Sequence, residues 1–231
     1  MPKAYVANIR AGLPVSRKQW SVIMKYKIVS DAVVRRLPRY RRHLKDLQNN
    51  GVERISSGEL ADKMNLTASQ IRQDLNHFGG FGQQGYGYSV ENLHDEVSNI
   101  LGMNKVYSVV MVGCGRLGEA LANFLKNYEP NFQIKAICDI RQDLHGKEIV
   151  GVKIMNAEEF GAYLDKSPAD IGILSVPTNQ LCDVVDLLVS HGIKGIWNFS
   201  LNDLEVKGVA VSNVHLSDSL QSLVYYINHP E

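Results

Sequence analysis

The sequence contains little that would tie it to the cell exterior or to a lipid bilayer. Its three cysteines, Cys114, Cys138 and Cys182, are an odd number, widely spaced, with no CxxC pair and no histidine at metal-ligand spacing. A disulfide framework and a zinc module are excluded, and three buried, reduced thiols are the expectation. No apolar run approaches the roughly 20 residues needed to cross a bilayer, and the N-terminus lacks a short apolar core followed by a small-residue cleavage site. These absences point to a cytoplasmic protein without a membrane partner. A composition 45% apolar and 21% charged excludes wholesale disorder, and 231 residues suffice for one large or two small domains.

Net charge is also nearly absent, at +1, but the value conceals an asymmetry. Residues 1–88 carry fifteen Lys and Arg against six Asp and Glu, a balance of +9; residues 89–231 carry ten against eighteen, a balance of −8. Such a split suggests a polyanion-binding module joined to a domain that must not bind polyanions broadly.

Residues 1–27 show no sustained period and contain Pro2, Gly12 and Pro14, so a loosely ordered tail is expected, with Met24 as an alternative start. From Ser30, Leu37, Tyr40, Leu44 and Leu47 recur at three- and four-residue steps, which predicts an amphipathic basic helix. Pro38 either kinks it or opens a second helix, and Gly51 is placed to end it in a left-handed cap. Two capping-box patterns follow, Ser56 with Glu59 and Thr67 with Gln70, each expected to open a short helix. In the second helix Ile71, Leu75 and Phe78 share one face, leaving Ser69, Gln70, Arg72, Gln73 and Asn76 to point elsewhere. Amides and a guanidinium are what base edges in a major groove require. With the positive balance, the pattern reads as a helix-turn-helix whose second helix enters DNA. Arg36 and Arg39 on the preceding basic helix join the candidate DNA contacts. The stretch GGFGQQGYGY interleaves five glycines with Phe81, Tyr86 and Tyr88, and reads as a winged-helix wing or as a flexible linker. On the wing reading, Gln83 and Tyr86 are candidate DNA contacts.

From Lys105 the elements alternate in α/β fashion. The nearly continuous apolar run Val106–Val112 predicts a strand covered on both faces. It leads into GCGRLG, in which Gly113, Gly115 and Gly118 fill GxGxxG positions before the amphipathic run 119–127. Alone the motif is weak. Here it follows a strand, opens a helix, and is followed by a second strand (133–138) ending at Asp139, 21 residues beyond Gly118. Glycines at these positions allow the turn, the approach of a pyrophosphate and close helix–strand packing, while the carboxylate suits an adenosine ribose and repels a 2′-phosphate. The expected cofactor is NAD (NADH/NAD⁺), lined by Gly113, Cys114, Gly115, Arg116, Leu117, Gly118 and Asp139. Val176 and Pro177 join them, because SVPT (175–178) falls at a later strand's carboxyl end. Further strands are expected near 150–155, 170–176, 194–198 and 209–212, and helices near 157–164 and 179–191. No catalytic residue is assigned: TyrxxxLys spacing is absent, and His145, His191, His215 and His229 have no obvious carboxylate partner in the sequence. Leu216, Leu220, Leu223, Val224 and Ile227 form one apolar stripe on a terminal helix that packs either on its own sheet or on a partner subunit.

The fold class expected is α/β: a winged-helix domain (28–90), a Rossmann-like NAD-binding domain (91–212) and a terminal helix (213–231). Over roughly residues 27–229 this combination resembles the Rex family of redox-sensing transcriptional repressors. The matching stretches are RRLPRYRRHL, SSGELADKMNLTASQIRQDL, FGGFGQQGYGYSV, GCGRLG, GIKGIWNFS and SLQSLVYYI. The resemblance implies a homodimer on palindromic double-stranded operator DNA, each chain's terminal helix swapped between its partner's two domains. It further implies repression in the NAD⁺-rich state and release as NADH accumulates. Gln73 departs from a basic residue usual in the family. The family's redox-dependent network joins an arginine, a tyrosine and an aspartate at positions held here by Arg42, Phe124 and His215, which implies a switch circuit that either differs from the family's or responds more weakly to the cofactor's oxidation state. A small NAD-dependent oxidoreductase with a basic accessory domain, and a coenzyme A or other nucleotide sensor, are the rival readings.

Overall fold

A computed structural model describes residues 29–79, the strand 82–83 and residues 86–230. The expected tail (1–27) lies outside them. The chain divides into two compact units between Lys105 and Val106.

In the first unit, α1 (Asp31–Asn49) opens on Ser30, whose side chain accepts from the Val33 N–H. Pro38 sits inside α1 and is accommodated by one continuous helix, its exposed position letting solvent serve the freed carbonyl. Val33, Leu37, Tyr40, Leu44 and Leu47 are the buried face. Gly51, at φ 72°, closes the helix: its N–H meets the Gln48 carbonyl and the Val52 N–H meets that of Leu47. Then come β1 (Arg54–Ile55), α2 (Ser57–Met64) and α3 (Ala68–Asn76). The Ser56–Glu59 box forms in full, whereas Thr67 only accepts from the Gln70 N–H, at 3.1 Å. Strands β2 (Gly82–Gln83) and β3 (Gly87–Ser89) pair antiparallel, and β3 also pairs with β1. A hairpin is therefore present where a linker was the other reading. A Cβ on Gly87 would lie 2.6 Å from the Ile55 carbonyl oxygen, so the hairpin approaches β1 more closely than a side chain allows.

The sequence-based boundary at residue 90 is corrected by α4 (Val90–Leu101), which packs against α1 and buries Val90, Leu93 and Val97 in the first unit's core. Tyr88 is buried there too, so this aromatic of the glycine-rich stretch belongs to the core.

The second unit is a seven-stranded sheet in the order β10-β9-β8-β4-β5-β7-β6. Its strands are β4 (Tyr107–Val112), β5 (Phe132–Asp139), β6 (Glu148–Ile149), β7 (Val152–Asn156), β8 (Ile171–Leu174), β9 (Gly195–Asn198) and β10 (Ala210–Asn213). All pairs are parallel except β6 with β7. Apart from β6, this is a doubly wound 3-2-1-4-5-6 order, and its direction reverses between β4 and β8. Helices α5 (Arg116–Tyr128), α6 (Phe160–Lys166) and α7 (Leu181–Ser190) make the crossovers. Apolar side chains on the two sheet faces form separate cores, Val110, Val112, Ala136 and Leu174 in one, Val109, Met111, Ile137 and Ile173 in the other. That two-sided burial explains why these strands read as continuous apolar runs. The last helix, α8 (Leu216–Asn228), has no buried residue.

Candidate functional site

The first candidate surface is built on α3. Ile71 and Leu75 seat it in the core, and Ser69, Arg72, Gln73 and Asn76 are exposed around an open hollow that His77 completes. Gln70 is half-buried. Arg72 reaches across to donate to the Ser57 hydroxyl at 3.0 Å, and His77 donates from Nδ1 to the Gln73 carbonyl at 2.7 Å. Tyr86 is 71% exposed on the hairpin, and its carbonyl accepts from Arg54. The side chain of Gln83 lies outside the described residues.

Two expected DNA contacts are otherwise engaged. Arg36 donates from Nε and Nη2 to the two carboxylate oxygens of Asp74 at 2.6 and 2.7 Å, and Tyr40 donates to the same carboxylate at 2.9 Å. Asp74 is 2% exposed. The hydrogen bond to Asp74 raises the Arg36 pKa, and burial followed by that carboxylate pushes the Tyr40 phenol up. Arg39 donates to the Met64 carbonyl at 2.7 Å, at the end of α2. Both arginines thus hold the helix pair in place. Asp74 was not singled out in the sequence, although a carboxylate three residues after Ile71 on an apolar face, with Arg and Tyr four apart on α1, is a readable sign of a buried pair.

The second candidate surface lies at the carboxyl ends of β4 and β8. Gly113 has φ 89°, and a Cβ there would lie 2.5 Å from the Ser175 carbonyl oxygen. A Cβ on Gly118 would collide with the Gly113 carbonyl oxygen, whereas one on Gly115 would meet nothing within 4 Å. The first and third glycines are therefore required by packing, and the second by nothing among the described residues, which leaves room for a ligand's closest approach. Arg116, Leu117 and Gly118 open α5, whose N-terminus has no side-chain cap, so their N–H groups are the helix's unclaimed first donors. Ser175 donates to the Gly113 carbonyl at 2.8 Å and braces the loop.

Cys114 behaves differently from its neighbours. Its N–H is taken by Asp139 Oδ2 at 2.6 Å, and its thiol is buried, which with the nearby Asp139 pushes its pKa up to about 11. Asp139 Oδ1 accepts the Arg141 N–H at 2.9 Å, so this carboxylate, 7% exposed, first closes the glycine loop onto β5. Each oxygen keeps an unused lone pair. The residues fit a dinucleotide: open space at Gly115, free donors at a helix N-terminus, and an acid at the end of the second strand. Val176 is buried in the apolar layer, while Pro177 is exposed at the rim. Cys138 is buried and its thiol is also pushed up by burial; Cys182 is exposed, against the expectation of three buried thiols.

Of the positions expected to form a switch network, Arg42 is exposed on α1 and Phe124 is 44% exposed on α5, its ring 5.6 Å from that of Tyr128. His215 has a carboxylate partner that the sequence reading missed: its Nε2 lies 2.7 Å from Asp203 Oδ1, twelve residues away. His191 lies 3.4 Å from Asp165. Only the sheet connectivity brings these partners together. Among the described residues, no group of three or more His, Cys, Asp or Glu is placed to hold a metal ion, and no helix is long and apolar enough to cross a membrane.

Comparison with known proteins bears on both surfaces. Residues 28–76 match the family described as "Putative DNA-binding protein N-terminus", and residues 104–202 match "CoA binding domain". A redox-sensing transcriptional repressor Rex of Clostridium botulinum (strain Hall) is 50% identical over 208 residues, 90% of this chain and 99% of the relative. The crystal structure of RSP with β-NAD⁺ and operator DNA is 50% identical, with TM-score 0.82 over 87% of this chain and 94% of that one. The structure of RSP with β-NADH is 47% identical, with TM-score 0.81 over 87% and 95%. With half its residues shared along almost the whole of a Rex relative, this chain belongs to the Rex family of redox-sensing transcriptional repressors.

Proposed function

We propose that the chain represses transcription by binding operator DNA through its first unit, and leaves the DNA when NADH replaces NAD⁺ in its second. One observation carries this reading: a single chain joins a helix-turn-helix, polar on its free face, to a glycine cradle open only at Gly115. Ser69, Gln70, Arg72 and Gln73 face the base edges, with Tyr86 of the hairpin alongside. Backbone donors at Gly115 to Gly118 hold the pyrophosphate, and the remaining lone pairs of Asp139 receive the adenosine ribose. The bound coenzyme supplies a ring that is cationic when oxidised and neutral when reduced, so an apolar pocket favours the reduced form. The chain's part is to make that preference conformational, because a ligand moves an equilibrium only by its differential affinity for the two states. About 5.5 kcal/mol of difference carries a population from 1:99 to 99:1. By reciprocity, operator DNA weakens NADH binding by the same factor.

The functional species is a homodimer on a palindromic site. Leu216, Leu220, Leu223, Val224 and Ile227 on α8 are each at least half exposed in the single chain, and a partner subunit is the apolar surface that such a stripe needs. The protein acts in the cytoplasm and is not an enzyme, as its relatives are named repressors. Fluorescence anisotropy of a palindromic operator across NADH to NAD⁺ ratios tests ligand, partner and switch together. Tight binding under NAD⁺ and release under NADH are expected; equal binding under both overturns the proposal. Arg72→Ala abolishes operator binding and spares NADH binding. The His191–Asp165 and His215–Asp203 pairs give the oxidoreductase reading a footing, and turnover of NADH with carbonyl substrates would establish it. Displacement of NADH by coenzyme A, with tolerance of Asp139→Ala, would favour the coenzyme A reading.

A further inference from the structure

Between β9 and β10 the chain makes a loop whose stiffness exceeds what a surface turn needs. Asn198, fully buried at the end of β9, uses its whole amide: Nδ2 donates to the Asn202 carbonyl and to Asn213 Oδ1, each at 2.8 Å. Its Oδ1 accepts the Ser200 N–H at 3.0 Å and the Ser200 hydroxyl at 2.6 Å. Asn213 of β10 in turn accepts the Leu204 N–H and donates to the Leu204 carbonyl. Asn198 and Ser200 are buried, and a buried amide whose donors and acceptor are all paired holds one geometry, with Asn202, Asp203 and Asn213 exposed around it. Residues 200–204 therefore move as a piece.

Each side of this piece touches something relevant. Thr178, next to Pro177 at the cradle rim, donates to Asn202 Oδ1 at 3.4 Å. The strand leading to Thr178 begins its turn at Ser175, which is bonded to the Gly113 carbonyl. On the other side, Asp203 holds His215, the residue immediately before α8. A chain of contacts thus runs from the glycine loop through Ser175, Thr178, Asn202 and Asp203 to the root of the terminal helix, entirely within the second unit.

We propose that residues 200–204 form the transmission between the cofactor edge and the terminal helix, Asn202 following Thr178 and the Asp203–His215 ion pair passing the displacement to α8. The inference rests on the repressor reading above and names the residues by which it is regulated. Asn202 and Asp203 are positioning residues that touch neither ligand. The charges acting on His215 are Asp203 and, one turn along α8, Asp218; the hydrogen bond that His215 donates to Asp203 is the main cause of its raised pKa. A histidine raised in this way holds its pair fully below its ordinary value near 6.5, and loses it as pH climbs through the raised value. Coupling is therefore stronger at pH 6 than at pH 8.

The experiment measures three quantities on the full chain: NADH affinity, operator affinity with NAD⁺, and the ratio of operator dissociation constants under NADH and NAD⁺. Asp203→Asn and Asn202→Ala, one on each side of the loop, leave the first two within about twofold and lower the ratio by about two- to thirtyfold, the range for residues that carry coupling without touching ligand. In the unmodified protein the ratio is about two- to fivefold larger at pH 6 than at pH 8, as suits an exposed pair. His215→Arg, a permanent cation, keeps at pH 8 the coupling seen at pH 6 and so flattens its pH dependence, which a merely structural role would not do. If the unmodified protein shows no NADH-dependent release, the repressor reading fails and the transmission with it. If it releases normally and both loop variants keep the full ratio, the transmission alone is wrong. A ratio that falls only in step with NADH affinity also overturns it.

Discussion

Removing the carboxylate of Asp74 tests how the DNA-facing helix is held. In Asp74→Ala the Arg36 guanidinium loses both its acceptors, and the Tyr40 hydroxyl loses its own. Breaking a buried ion pair on one side costs about 3–5 kcal/mol. The Arg36 side chain is 20% exposed and can turn partly to water, so about 3 kcal/mol is expected. Hydrogen exchange followed by mass spectrometry reads this locally: about 3 kcal/mol corresponds to roughly 100-fold faster exchange of the α3 amides. Peptides from the sheet of the second unit serve as the internal control. The double variant Arg36→Met with Asp74→Leu replaces the pair by apolar groups and returns α3 to within about 1 kcal/mol of the original. It also separates a structural arginine from a phosphate contact. Each lost phosphate contact takes about 0.9 from the slope of log affinity against log salt, and the double variant is expected to keep its slope. Exchange in Asp74→Ala within threefold of the original would refute the clamp, and a slope reduced by about 0.9 in the double variant would return Arg36 to the DNA.

Three further outcomes are expected. Gly118→Ala destabilises the second unit by about 1–3 kcal/mol, because its Cβ meets the Gly113 carbonyl, whereas Gly115→Ala leaves the melting temperature unchanged and weakens NADH binding; thermal melts beside a binding isotherm distinguish them. Iodoacetamide at pH 7.5 labels Cys182 in the native protein and spares Cys114 and Cys138 until denaturant is added, since burial raises both thiols; intact-mass spectrometry counts the adducts, and native labelling of Cys114 would contradict the packing. Val150 is a β-branched residue at φ 53°, so Val150→Asn relieves about 1 kcal/mol of strain, read as a higher urea midpoint.

Where a residue's role is local, it was legible before the structure. The apolar period of α1, the Gly51 cap, the Ser56–Glu59 box and the strand–glycine–helix succession at 107–128 each depend on neighbours within a few positions. Roles set by distant partners were not legible. Arg36 and Arg39 read as free cations because nothing within a helical turn opposes them; the groups they serve lie 38 and 25 residues away. Asp139 read as a ribose ligand, and its bond to the Cys114 N–H required the β4–β5 pairing to be known. The boundary at residue 90 failed for a related reason: α4 has a charge balance like the second unit's, but its apolar face belongs to the first core.

The burial of Cys114 and Cys138 also sets a clock. A sensor that registers oxidants through its own sulfur must wait for thiol–disulfide exchange, and often for a reductase, before it can respond again. With Cys114 and Cys138 sealed and protonated, coenzyme state is recorded without covalent change at either sulfur, and the memory lasts only as long as one coenzyme molecule stays bound.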